Sequence, residues 1–149
     1  MIIIDIEFID DFFCDDKGIL TRGFIIFKNH GEEWEILNQP MYVFSNWIDH
    51  IGQLLMYSEE VELNFYLGDF SLLLSVKQDD IFLTDKHYNM TNNLYSTFLW
   101  KDNRFNFVKN FIQVADKLSR AFYKNGLKEE SINFNKKINY LRALYIKKF

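Results

Sequence analysis

From Glu60 to Asp85 the chain alternates apolar and polar side chains so regularly that few folds can accommodate it. In EVELNFYL, Val61, Leu63, Phe65 and Leu67 alternate with Glu60, Glu62, Asn64 and Tyr66. In FSLLLSVK, Phe70, Leu72, Leu74 and Val76 alternate with Ser71, Leu73, Ser75 and Lys77. IFLTD carries the pattern on through Ile81 and Leu83. Successive side chains of a strand point to opposite faces, so each run has one apolar face. Gly68-Asp69 and Gln78-Asp79-Asp80 interrupt the runs, and short polar breaks of this kind close antiparallel pairs. The pattern predicts a three-stranded meander with an apolar face that needs cover.

Earlier in the chain, Ile4, Ile6 and Phe8 alternate with Asp5 and Glu7, which predicts a strand with one wet face. The aspartates of IDDFFCDDKG and Gly18 favour a turn, and residues 19–28 read as a second strand pairing back as a hairpin. Asn29 to Gly31 is another turn, and EEWEI reads as a short third strand. Pro40, the only proline, is expected in the loop before a first helix with Ser45 as N-cap. In that helix Trp47, Ile51, Leu54 and Leu55 share a face, while Gly52 weakens it by about 1 kcal/mol relative to Ala. Residues 86–93 read as loop, and LYSTFLW as either a strand or the start of a helix.

The strongest helical period runs through Phe105, Val108, Phe111, Ile112, Ala115, Leu118 and Phe122, with Asp102 or Asn103 as cap and Asn125-Gly126 as stop. A last helix is expected from Lys128 to Lys147, with Phe134, Ile138, Leu141 and Tyr145 on one side. Strands and helices in separate blocks point to an α+β fold. The expected architecture is an antiparallel sheet (hairpin plus meander) with one inserted helix and two C-terminal helices packed on one face.

The length of 149 residues is that of a single domain, 1–149. One cysteine, Cys14, cannot form an internal disulfide, so the fold does not depend on oxidation. The start, MIIIDIEFID, lacks a basic region and does not read as a signal peptide. No window has the length of uncharged apolar sequence that a membrane span needs. A cytoplasmic location is the corresponding expectation.

The net charge of −4 conceals a division. Residues 1–100 hold five basic and 17 acidic side chains, whereas residues 101–149 hold 12 basic and four acidic. Such a separation can steer charged partners, although Lys-rich helices also carry basic charge simply as solvated surface.

The patterns that announce chemistry are missing. His30, His50 and His87 are the histidines; no GxSxG or cysteine-nucleophile context accompanies them, and no His lies near Cys14 in sequence. Aspartates around Cys14 raise a thiol's pKa and oppose a reactive thiolate. There is no CxxC or HExxH, and the pair Asp49-His50 reads as helix surface. Asp10, Asp11, Asp15 and Asp16 with Gly18 depart from the calcium loop pattern, which needs a closing Glu. No phosphate-binding glycine loop occurs. The expectation is a protein without catalytic residues, metal or cofactor. Lys136, Lys137, Arg142, Lys147 and Lys148, with Tyr140 and Tyr145 among them, offer a nucleic-acid surface, but a pI near 5.4 argues against one.

What remains is recognition of a protein. Phe12 and Phe13 lie among Asp10, Asp11, Asp15 and Asp16, and Glu32 and Glu33 form a second acidic group. Aromatic side chains supply contact area and carboxylates supply attraction to a basic partner. The competing reading tucks Phe12 and Phe13 into the core beside the first hairpin. The segments IEFIDDFFCDDKGILTRGFIIF, VELNFYLGDFSLLLSVKQDDIFLTD and FNFVKNFIQVADKL resemble the small immunity proteins of bacterial polymorphic toxin systems, including contact-dependent growth inhibition. The resemblance covers most of the chain but rests on no single motif, and it transfers no binding residues. It implies a cytoplasmic protein that binds and blocks one cognate toxin domain, in many cases a basic nuclease. The alternatives are a nucleic-acid-associated regulator using the basic C-terminal helices, and a hydrolase built on an unrecognised carboxylate site.

Overall fold

The structure is a computed structural model and describes residues 1–8, 14–15, 18–19, 22–40, 43–56, 60–65, 70–88 and 94–148. Ile2–Phe8 form β1, Cys14–Asp15 β2, Gly18–Ile19 β3, Arg22–Asn29 β4 and Glu32–Pro40 β5. Helix α1 spans Val43–Met56. Then come β6 (Glu60–Asn64), β7 (Phe70–Lys77), β8 (Asp80–Tyr88), β9 (Leu94–Tyr95) and β10 (Leu99–Asn103). Helices α2 (Arg104–Lys124) and α3 (Lys128–Lys148) complete the order.

The α+β class read from the sequence is the one observed. The hairpin and the meander belong to two separate antiparallel sheets. One has the order β1-β4-β5; the other has the order β10-β8-β7-β6 with β9 paired to β8. β2 and β3 pair separately. His30 and Gly31 both have positive φ, 49° and 84°, as the tight β4–β5 turn requires.

One continuous cluster of buried apolar side chains draws on both sheets and all three helices. From the first sheet it takes Ile2, Ile4, Ile6, Ile25, Phe27 and Ile36. The second supplies Val61, Leu63, Leu72, Leu74, Ile81, Leu83 and Trp100. The helix α2 lies against β1, β10 and β8, whereas α3 packs chiefly on α1 and α2 and forms an outer layer. Of the two terminal helices, α2 is therefore the one that chiefly covers strands among the described residues.

β1 is an edge strand of its sheet, and the backbone groups of Ile2 find partners in side chains. The Ile2 N–H donates to Asp102 Oδ2 at 2.9 Å, and the Ile2 carbonyl accepts from Asn110 Nδ2 at 3.0 Å. Asp102, from the end of β10, is buried. Satisfied groups of this kind discourage further strand addition at that edge.

Several boundaries differ from the sequence reading. Helix α1 begins at Val43, so Ser45 sits inside its first turn, and its carbonyl accepts from Lys137 Nζ at 3.2 Å. Val43 and Phe44 are buried, and their packing draws the helix start ahead of the polar residue. Pro40 ends β5 instead of lying in a loop; β5 is an edge strand, where a missing N–H is tolerated. Strand β8 continues through Tyr88, beyond the point where residues 86–93 read as loop. Two alternatives left open by the sequence are decided: LYSTFLW supplies strand residues, and Asn103 caps α2, accepting from the N–H groups of Phe105 (2.9 Å) and Asn106 (3.3 Å).

Candidate functional site

Residues directly opposite one another in a sheet share a face, so strand register fixes the outer surface of the β1-β4-β5 sheet. One row runs Ile3–Lys28–Glu33 and the next Asp5–Ile26–Glu35, with Glu7 opposite Phe24 beyond them. Glu7, Glu33 and Glu35 are exposed, and Ile3 is 47% exposed. Lys28 approaches Glu33 at 4.0 Å, a weak surface pair. The face is therefore mainly acidic, with Ile3 exposed on its edge strand and Ile26 buried on its central one.

Of the residues singled out from sequence, Asp10, Asp11, Phe12, Phe13 and Asp16 lie outside the described residues. Asp15 belongs to β2, opposite Gly18. Glu32 and Glu33 are consecutive in β5, so they point to opposite faces. Glu33 joins the outer face with Glu35. Glu32 turns the other way and accepts from Trp100 Nε1 at 3.0 Å. There Trp34 meets Phe27 (5.8 Å), Phe65 (5.9 Å) and Phe98 (5.0 Å), a cluster that stiffens the interior beneath the acidic face.

The most chemically loaded group was not legible in sequence. Asp85, on β8, lies opposite Leu72, and its side chain is 0% exposed. Its Oδ1 accepts from the Thr97 N–H at 2.8 Å and the Phe98 N–H at 3.1 Å. Its Oδ2 lies 2.5 Å from His87 Nε2 and accepts the Thr97 hydroxyl. Burial pushes the Asp85 carboxyl up, but the bonds from Thr97, Phe98 and His87 together outweigh it and hold the pKa below the usual value. A nucleophile–base–carboxylate relay needs a hydroxyl donating to the histidine ring. Here the Thr97 hydroxyl donates to the carboxylate instead. The group fastens the segment before β10 to β8. The signal lay in an alternation that continues past Asp85, hidden because the partners stand 12 and 13 residues further on.

On the outer face of the second sheet, Ser71 Oγ donates to Glu62 at 2.5 Å and Lys86 Nζ lies 3.3 Å from it. The Ser71 bond chiefly, opposed by burial and helped by Lys86, lowers the Glu62 pKa. A depression of about 330 Å³ is lined by Asn46, Trp47, Asp49, His50 and Asn64. Its polar groups are already engaged: His50 Nδ1 lies 2.9 Å from the Asn46 carbonyl, Asp49 is 3.6 Å from Lys137, and Trp47 Nε1 donates to the Asn64 carbonyl at 3.1 Å. Among the described residues no group of three or more His, Cys, Asp or Glu is placed to hold a metal ion. No helix among them is long and apolar enough to cross a membrane.

The charge division is partly closed within the fold. Lys101–Asp80, Arg104–Asp79, Lys117–Asp5 and Lys137–Asp49 each join the basic last third to the acidic remainder. The exposed glutamates of the first sheet are not part of these four pairs. Comparison with protein-family models, curated proteins and solved structures gives no match.

Proposed function

We propose that the chain is a non-enzymatic immunity protein that neutralises a basic toxin domain of the kind found in bacterial polymorphic toxin systems. The observation that carries this reading is the outer face of the β1-β4-β5 sheet. Glu7, Glu33 and Glu35 stand exposed on it, with Ile3 exposed on the edge strand, and the sheet's other face is built into the core. A rigid acidic surface gives fast, salt-dependent association with a cationic partner and loses little entropy on binding. The resemblance of the sequence to immunity proteins narrows the partner class to a toxin domain, with a nuclease as the first choice. In this reading the protein covers the toxin's active or substrate-binding surface and works in the cytoplasm.

The test is co-expression with a toxin domain encoded by the neighbouring gene. Rescue of growth and a salt-sensitive complex are expected. The double variant Glu33→Lys with Glu35→Lys should weaken that complex by at least about tenfold, or about 1.4 kcal/mol. Failure to rescue, together with no complex at low salt, overturns the immunity reading.

A further inference from the structure

Helix α3 carries apolar side chains on both of its sides. Phe134, Ile138 and Leu141 are buried, while Ile132 (53% exposed), Tyr140 (62%) and Ile146 (66%) stand in solvent. Helical spacing aligns Ile132, Lys136, Asn139, Ala143 and Ile146 along one exposed line, with Lys128, Glu129 and Lys147 beside it. Singly scattered exposed hydrophobics are ordinary, but several on one helix face mark an interaction surface.

The cations of this face, like Lys109, Arg120, Lys124 and Lys148, are basic residues of the last third with no carboxylate partner among the described residues. Lys101, Arg104, Lys117, Lys137 and Arg142 all have carboxylate partners. Among the described residues Lys128, Lys136 and Lys147 have none; Lys128 Nζ lies 5.6 Å from the centre of the Tyr123 ring. The line thus combines aliphatic contacts with a net positive charge, three lysines against Glu129.

We infer that the exposed face of α3 docks an acidic amphipathic helix of a partner protein. Its apolar side lies along Ile132, Ala143 and Ile146, and its carboxylates reach Lys128, Lys136 and Lys147. A nucleic acid has no use for an aliphatic midline. A membrane-surface helix needs polar and apolar residues on opposite sides, whereas α3 buries one apolar side and exposes the other. This surface is separate from the acidic sheet face and does not depend on the function proposed above.

The test measures fluorescence anisotropy of a labelled synthetic helix, Leu on one side and Glu on the other, with the full chain at low salt. Parallel arms use a scrambled peptide of the same composition, single-stranded RNA and phosphatidylserine vesicles. Saturable binding of the amphipathic peptide is expected. It should weaken at least about tenfold, or about 1.4 kcal/mol, in Lys136→Glu and again in the pair Ile132→Ser with Ile146→Ser. Unfolding midpoints should hold in both, and Glu33→Lys should leave binding unchanged. No peptide binding, equal binding of the scrambled peptide, indifference to the isoleucine pair, or preference for RNA or vesicles overturns the inference. So does self-association in sedimentation that Lys136→Glu abolishes, which would make a second copy the occupant.

Discussion

Helices α2 and α3 are equally long, 21 residues each, yet they are specified by different forces. Nine α2 residues are buried, against four in α3. In α2, Phe111 stacks on Phe44 of α1 at 5.8 Å, and Phe122 meets Phe134 of α3 edge-on at 6.0 Å. The start of α2 is also built in: Asn103 caps it, the Arg104 N–H donates to the Asp79 carbonyl at 2.7 Å, and the Arg104 guanidinium donates to the Leu54 carbonyl. Helix α3 relies more on charge. Glu129 and Glu130 sit in its first turn and Lys147 and Lys148 in its last, each at the end whose dipole favours it. The packed side of α2 is the wider of the two, and α3 keeps the larger solvent-facing side for a partner.

The largest test of this contrast is Phe111→Ala. It should destabilise the protein by about 3–5 kcal/mol, as expected for emptying a fully buried aromatic site. Leu141→Ala, in the α1–α3 contact, removes a smaller side chain and should cost about 2 kcal/mol, the low end for such truncations. Urea denaturation of both variants measures the difference. Equal losses would place the two helices on the same footing and remove the contrast.

Asp85 tests whether the segment leading toward α2 is as firmly held as the helix itself. Asp85→Ala leaves the Thr97 and Phe98 N–H groups without their acceptor and should cost about 1–3 kcal/mol at neutral pH. The native carboxyl titrates below its unfolded value, so its stabilisation is present above about pH 4 and is lost as pH falls through the folded pKa. Denaturation at pH 7 and at pH 3 should show the gap between wild type and variant narrowing in acid. A gap of constant size would mean that Asp85 acts by shape rather than charge.

Asn103→Ala removes the α2 cap and should cost about 1 kcal/mol. Thermal unfolding followed by circular dichroism reads this directly. A loss below the error of that measurement would show that Arg104 and its contacts hold the helix start without the cap.

Where local chemistry and tertiary packing agreed, the sequence was readable. The alternation of Val61, Leu63, Leu72 and Leu74 and the helical period of Phe111, Ile112, Ala115 and Leu118 each announced a buried face, and each is buried. Ser45 misled because helix-start chemistry competes with burial, and the buried Val43 and Phe44 prevailed. Residues 86–88 misled because Lys86 and His87 read as solvent-loving, while the structure gives them Glu62 and Asp85 as partners. The acidic site was legible as composition but not as geometry. Adjacent glutamates looked like a unit, yet a strand sends Glu32 and Glu33 to opposite faces and makes Glu35 the companion of Glu33. The exposed line on α3 was hidden for a related reason. Phe134, Ile138 and Leu141 account for the core face of α3, and nothing in the spacing of Ile132 and Ile146 sets them apart from ordinary exposed apolar residues.

The smallest expected effect bears most directly on that line. Ile146 is 66% exposed, so Ile146→Ser removes almost no buried area and should change stability by less than about 0.5 kcal/mol. Buried apolar residues of α2 cannot be replaced on those terms. If Ile146→Ser costs more than about 1 kcal/mol in urea denaturation, well beyond the range for an exposed site, the residue is packed in solution and the face is already occupied. If stability holds while binding of the acidic amphipathic peptide falls, Ile146 contributes to recognition without contributing to folding. That separation distinguishes a docking face from an unfinished core, and the buried positions of α2 do not allow it.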